Sequence, residues 1–256
     1  MKLSTPSRIL VRLAAVCCLA GLPTSQAQML ALHTGAHDPT TEGFTIGGYG
    51  QPQVGPVPND LGLAAWHTSV SASQVSYTHT VPVIRGADWL LSISARALTP
   101  GSRGVFRVEV NTGQFGFGVY YGSTTAGDPT VVAGSSRGST PEYVLAPGSP
   151  AYHSYQLSFS AATETASFWI DGVEQYSGLP GTPIFLPGAP NLRWAASFQS
   201  PGPMEANWHL VSLEIIPEPS AGTLLALGAA ALLLGRPKPR QLVRSTSSRA
   251  ATTPEC

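Results

Sequence analysis

The sequence predicts an all-β fold: two antiparallel sheets packed as a sandwich, flanked by an N-terminal signal peptide and a C-terminal apolar helix. Three observations carry that reading. Gly (27) and Pro (23) make up about a fifth of the 256 residues, with 11 % charged and 43 % hydrophobic residues. That balance suits a turn-rich chain with enough apolar surface for a core. Between residues 61 and 216, short runs alternate apolar and polar with a period of two, as strands that bury one face do. The same region has no convincing helix. Half-buried strands need a second layer over their apolar faces, and two packed sheets supply it.

Residues 1–27 read as a secretory signal peptide. Lys2, Arg8 and Arg12 form a charged start, and Leu13–Leu22 is an apolar stretch too short to span a bilayer. Ser25-Gln26-Ala27 offers small residues before a scissile bond, which places cleavage after Ala27. A lipoprotein leader at Cys18 is the competing reading, resting on a poor match in Ala15-Val16-Cys17. Residues 28–60 are rich in Pro and Gly breaks, so they are expected as a loop-rich N-terminal segment with a strand near Gly43–Gly48. His33 and His37 have a His-x-x-x-His spacing that binds metal on a helix, but Gly35 and Pro39 oppose a helix. Both histidines are therefore expected as solvated polar residues.

From Leu61 the β signal is continuous. Ser73–Val81 places Val75, Tyr77, His79 and Val81 on one face, and Trp89–Ala97 does the same with Trp89, Leu91, Ile93 and Ala95. Val105–Val110 and Phe115–Tyr121 follow, joined by the turn Asn111-Thr112-Gly113. Phe115, Phe117 and Val119 share one face. Gly116 and Gly118 share the other, where a bare backbone lets a ligand or another segment approach closely. Thr124–Pro150 is irregular apart from a strand near Thr130–Ala133. His153–Phe159 and Thr165–Ile170 form a hairpin, and Asp171-Gly172 turns the chain into Val173–Tyr176. Leu192–Phe198 and Trp208–Ile216 complete the set, and Pro217 cannot continue a central strand.

The C-terminal stretch has three parts: Pro217-Glu218-Pro219-Ser220, the uncharged run Ala221–Gly235, and Arg236, Lys238, Arg240 and Arg244, before a polar basic tail at 245–256. The apolar run has 15 residues, about 22 Å of helix. A bilayer core of ~30 Å needs local thinning or snorkelling of Arg236 and Lys238 to accommodate it. The basic residues that follow keep the C-terminus cytoplasmic. A buried core helix is the alternative, but the run shows no polar face. In order and position, these parts resemble the PEP-CTERM sorting signal of Gram-negative bacteria. The resemblance implies an exported protein with an inner-membrane intermediate, processed by an exosortase at residues 217–244 and delivered to the cell surface or extracellular matrix.

Between Gln28 and Ile216 there are six Arg and no Lys against five Asp and seven Glu, a formal charge of −6. This excludes the basic footprint of a nucleic-acid binder. Cys17 and Cys18 lie in the leader and Cys256 lies beyond the tail, so the region between has no disulfide or thiolate metal site.

Residues 61–216 resemble the concanavalin A-like, laminin-G-like jelly roll. The resemblance rests on Ala65-Trp66, Tyr77, Trp89-Leu90-Leu91-Ser92, the Gly-rich strand Phe115–Gly122, Tyr152–Leu157 and Phe168–Val173. It implies a family that includes sugar-binding modules, adhesion modules and glycoside hydrolases. Hydrolases of this fold use two carboxylates close together on one strand, ~5 Å apart for retention. No such run occurs, and Glu109 stands between Val108 and Val110 without a partner carboxylate. A Ser-His-Asp site has no Gly-x-Ser-x-Gly to anchor it. These considerations lead to the expectation that the chain is not an enzyme. No cofactor is expected, although Asn111, Asp128 and Asp171 are turn residues that a calcium site could use. The five tryptophans all lie between the two ends. Trp169 and Tyr121, each beside another aromatic residue, are the candidate sugar-stacking residues. The expectation is thus a surface-sorted, non-catalytic protein that binds carbohydrate or acts in an exopolysaccharide matrix. A glycan-active hydrolase of the same fold and a purely structural surface protein are the alternatives.

Overall fold

The computed structural model of the chain describes residues 27–71, 73–99, 106–124, 127–135, 137–145, 151–183, 189–197 and 204–217. These form two antiparallel sheets. The first has eight strands, in the order β14 (Val173–Pro180), β13 (Thr165–Ile170), β12 (His153–Ser160), β6 (Asp88–Thr99), β17 (Met204–Ile216), β4 (Leu63–Val70) and β3 (Gln53–Asp60), with β1 (Gln28–Thr34) also on β17. The second has nine, in the order β10 (Gly138–Ser139), β9 (Pro129–Ser135), β8 (Phe115–Ser123), β7 (Phe106–Asn111), β16 (Asn191–Ser197), β5 (Gln74–Thr80) and β2 (Thr45–Tyr49). Two short strands join it, β11 (Tyr143–Val144) on β9 and β15 (Thr182–Pro183) on β8. Most neighbours are distant in sequence, as in a jelly-roll sandwich.

Alternation decides what the sheets bury. Trp89, Leu91, Ile93 and Ala95 of β6 and Tyr155, Leu157 and Phe159 of β12 are buried, as their spacing predicts. Opposite them lie Phe106, Val108 and Val110 of β7 and Phe115, Phe117 and Val119 of β8. Aromatic rings tie the layers together. Trp89 stacks on Phe159 at 5.2 Å and meets Phe117 edge-on at 5.5 Å. Trp194 of β16 lies 4.3 Å from Tyr77 and 5.1 Å from Trp208. Two of the buried indoles donate hydrogen bonds, Trp66 to the Tyr77 hydroxyl at 3.0 Å and Trp208 to Thr68 at 2.9 Å. A register shift between Trp208 and Leu210 changes the parity of β17. The strand then buries Ala206 and Trp208 before it, and Val211 and Leu213 after it.

The N-terminal segment departs from the expected loop. Residues 28–60 supply β1, β2 and β3 to both sheets. Prolines 56 and 58 sit in β3, an edge strand, where a missing N–H costs little. His33 is not solvated. It is fully buried, its ring stacks on Trp194 at 4.9 Å, and its Nδ1 lies 2.6 Å from Glu42 Oε2. The other Glu42 oxygen accepts from the backbone N–H and hydroxyl of Thr34. His37 is exposed, as expected. Residues 1–26 of the leader and 218–256 of the sorting stretch, including the apolar run, lie outside the described residues. Among the described residues no helix is long and apolar enough to cross a membrane.

The hairpin turns follow local chemistry. Leu61-Gly62 and Asp171-Gly172 each place two residues at positive φ, the geometry of a tight type I′ turn. The first turn brings Asp60 onto the outer face of the first sheet. There its carboxylate accepts from Tyr152 Oη at 2.8 Å and Asn207 Nδ2 at 2.6 Å, and it pairs with Arg96. Burial alone would raise the Asp60 pKa. The bonds from Asn207 and Tyr152 and the Arg96 charge outweigh it and hold the carboxyl below its ordinary value. A depressed carboxyl pKa stabilises the fold above the unfolded-state value and loses that contribution as pH falls through the folded-state value. We expect Asp60→Ala to lower the unfolding free energy by roughly 1–3 kcal/mol at neutral pH. Chemical denaturation across pH should show that difference closing as the wild type is acidified below the ordinary aspartate range.

Candidate functional site

A wide concavity lies on the outer face of the second sheet. It is a groove of about 550 Å³ that runs across β5, β16, β7, β8 and β9. Its position follows from the pleat. Because β7 turns Phe106, Val108 and Val110 inward, Arg107, Glu109 and Asn111 must point out. The same parity on β8 turns Gly116, Gly118 and Tyr120 to the outer face opposite them, since Arg107 pairs with Tyr120, Glu109 with Gly118 and Asn111 with Gly116. On its other side Glu109 pairs with Arg193 of β16, and Arg193 pairs with Thr78 of β5. Four strands thus set one polar row across the sheet.

Glu109 is the centre of that row and the one carboxylate lining the groove among the described residues. Its Oε2 lies 3.5 Å from Arg107 Nε and 3.9 Å from Arg193 Nη1, with all three side chains roughly a third exposed or less. Tyr120 closes one side. A Cβ added to Gly118 would stand 2.5 Å from the Tyr120 hydroxyl, so the aromatic ring lies over the glycine. The bare position expected at Gly118 is therefore filled by a neighbouring ring, and glycine is what lets the ring lie flat. Burial pushes the Tyr120 hydroxyl above its ordinary pKa, and the Glu109 charge adds to this against Arg107. The phenol stays protonated at neutral pH and is a hydrogen-bond donor beside the carboxylate. Gly116 remains part of the lining, with Ser76, Thr78, Asn191 and Ser135 contributing polar walls.

The residues proposed from sequence for sugar stacking do not meet here. Tyr121 is buried, 5.1 Å from Tyr155 and 6.1 Å from Trp208, and burial raises its hydroxyl pKa strongly. Counting by twos from Phe115 through Val119 puts Tyr121 inside and Tyr120 outside, so the outward member of the pair is Tyr120. Trp169 is half-buried on the other sheet, between Gln156 of β12 and Glu174 of β14. It faces away from the core but lies outside the groove. The turn residues considered for calcium serve separate turns. Asn111 accepts from Gly113 N–H, Asp171 holds His153 and the Ser154 N–H, and Asp128 closes a loop with Thr124. Among the described residues no group of three or more His, Cys, Asp or Glu is placed to hold a metal ion.

No protein-family model matches the chain, and no curated protein matches it in sequence. Solved structures do match in fold. A carbohydrate esterase from the Shiga toxin-encoding bacteriophage phi24B is 12 % identical over 75 % of this chain and 100 % of its own, with a TM-score of 0.58. A domain of an extracellular GH43 arabinanase from Geobacillus stearothermophilus, in complex with arabinotriose, is 15 % identical over 79 % of this chain and 100 % of its own, with a TM-score of 0.45. A β-glucanase from Bacillus licheniformis is 11 % identical over 76 % of this chain and 100 % of its own, with a TM-score of 0.40. The match with the carbohydrate esterase is one of fold, the two-sheet antiparallel sandwich.

The expectation that the chain is not an enzyme is corrected at this point. The structural match with a TM-score of 0.58 is a carbohydrate esterase. A carboxylate pair on one strand and a Gly-x-Ser-x-Gly elbow are only two of the local patterns that hydrolytic sites use. Esters and other glycan linkages are cleaved with other groups, so the missing pair carried too broad an exclusion.

Proposed function

We propose that this chain is a carbohydrate-active enzyme of the concanavalin A-like fold that binds a glycan across the groove of the second sheet. The observation that carries the reading is the polar row centred on Glu109, set between Arg107 and Arg193 and beside Tyr120. A polysaccharide lying across the strands meets an aromatic ring, a proton-transfer group and fixed donors within two adjacent rows. Flat apolar faces with polar edges suit aromatic contact, and a positioned carboxylate suits general acid–base chemistry. Glu109 is the proposed proton-transfer residue, and Tyr120 donates to a substrate or leaving-group oxygen. Release of reducing ends or acyl groups from a panel of bacterial and plant polysaccharides tests the reading. Glu109→Gln keeps the shape of the side chain and should lower the rate by roughly 100-fold or more. An unchanged rate would remove Glu109 from the chemistry.

The proposed site of this activity is outside the cell. The proposed route is export through the signal peptide at 1–27, passage through the inner membrane by way of the apolar run 221–235, and exosortase-dependent delivery to the surface or matrix. Support comes from the order of Pro217-Glu218-Pro219-Ser220, apolar run and Arg236, Lys238 and Arg240. Replacing Glu218 and Pro219 with Ala should leave the chain in the inner membrane fraction; unchanged secretion and processing would contradict this route.

A further inference from the structure

We infer that the groove selects a polyanionic glycan, one that carries carboxylate or sulfate groups along its chain. This rests on the reading of the groove as a glycan site and goes beyond it by naming the substrate class. Two guanidinium groups converge on one carboxylate, so this three-residue cluster carries a surplus positive charge. That surplus stands in a region whose formal charge is −6. Arg96 is matched by its own carboxylate on the other sheet, whereas Arg193 lines the groove itself and Arg107 stands behind Glu109 at its edge. A cleft of one sign on a body of the opposite sign focuses its field on an approaching ligand.

The geometry agrees with the charge count. Charge-assisted N–H···O bonds close at about 2.7–2.9 Å, whereas Glu109 stands 3.5 and 3.9 Å from its two arginines. The ion pairs are open, and the Arg193 guanidinium fork, which lines the groove, keeps donor capacity for a second anion. Arg193 lines the groove and pairs across the sheet with Thr78, where a planar fork can take two oxygens of one acidic group. A neutral glucan would use the ring of Tyr120 and the polar walls but would leave that capacity unmet. An acidic residue seated against Arg193 supplies it and places the next linkage near Glu109.

Calorimetric binding of the full chain to three polymers tests the inference: polygalacturonate, a sulfated galactan and a neutral mixed-linkage β-glucan. We expect at least one anionic polymer to bind about tenfold or more tightly than the neutral one at low salt, the order of one charge-assisted contact. Raising the salt should erase most of that preference. Arg193→Gln should collapse the ratio, with thermal unfolding confirming that the variant folds. If the variant does not fold, the salt titration of the wild type decides, and a preference that survives high salt overturns the inference. Preference for the uronan assigns the anion as carboxylate, and preference for the galactan assigns it as sulfate. Equal binding of neutral and anionic polymers overturns the inference and leaves the glycan groove standing. Binding of none of the three overturns both.

Discussion

Side chains on a pleated strand alternate between its two faces, and β7 uses both faces fully. Each residue it places in the core fixes a neighbour on the surface. Phe106, Val108 and Val110 must be inside for the sandwich to hold, and this sends Arg107, Glu109 and Asn111 to the outer face. A shift of one residue would bury two charges and expose three apolar side chains, which burial energetics forbid. The groove therefore inherits its register from the hydrophobic core. The neighbouring strands obey the same rule, so Arg193 of β16 and Gly118 of β8 arrive beside Glu109 without any loop to place them.

The same coupling explains why the core is so aromatic. Trp89, Trp194 and Trp208 are each almost fully buried, and removing a ring of that size from such a site costs about 3–5 kcal/mol. Trp194 stands next to Arg193 on β16 and stacks on both Tyr77 and His33. His33 closes this stack from the N-terminal strand, held by Glu42. Burial lowers the His33 pKa despite the Glu42 contact, so the neutral ring is the form that fits. Rigid elements of this kind hold polar groups at fixed distances better than loops do.

Much of the sandwich was legible because its strands alternate cleanly. Apart from the two-residue strands β10, β11 and β15, which were not expected, the strands from Gln74 to Ile216 lie near their expected positions, and the turn at Asp171-Gly172 has the predicted backbone. Of the N-terminal strands, β2 lies where a strand was expected near Gly43–Gly48, whereas β1 and β3 escaped notice for physical reasons. On β1 the inward residues are Ala31 and His33, and a register shift between Met29 and Ala31 breaks the alternation. On β3 two prolines mimic a loop although an edge strand tolerates them. Glu109 was visible as a lone carboxylate, but its second arginine lies 84 positions later and comes near only through strand order. The alternation Arg107-Val108-Glu109-Val110-Asn111 was the signal that could have found the polar face. Parity also settles the tyrosine pair, since Tyr121 shares the phase of Phe115, Phe117 and Val119.

The resulting picture is an acidic sandwich with a locally positive groove, in which a glutamate and an arginine share one cross-strand row and a second arginine and a tyrosine share the next. Its central claim is that glycan engages the outer face of the second sheet. Hydrogen–deuterium exchange of the chain, with and without the polysaccharide that it binds most tightly, tests this most directly. Protection should concentrate on β7, β8 and β16, around Glu109, Tyr120 and Arg193. Protection confined to β12–β14 around Trp169, with the second sheet unchanged, would contradict it.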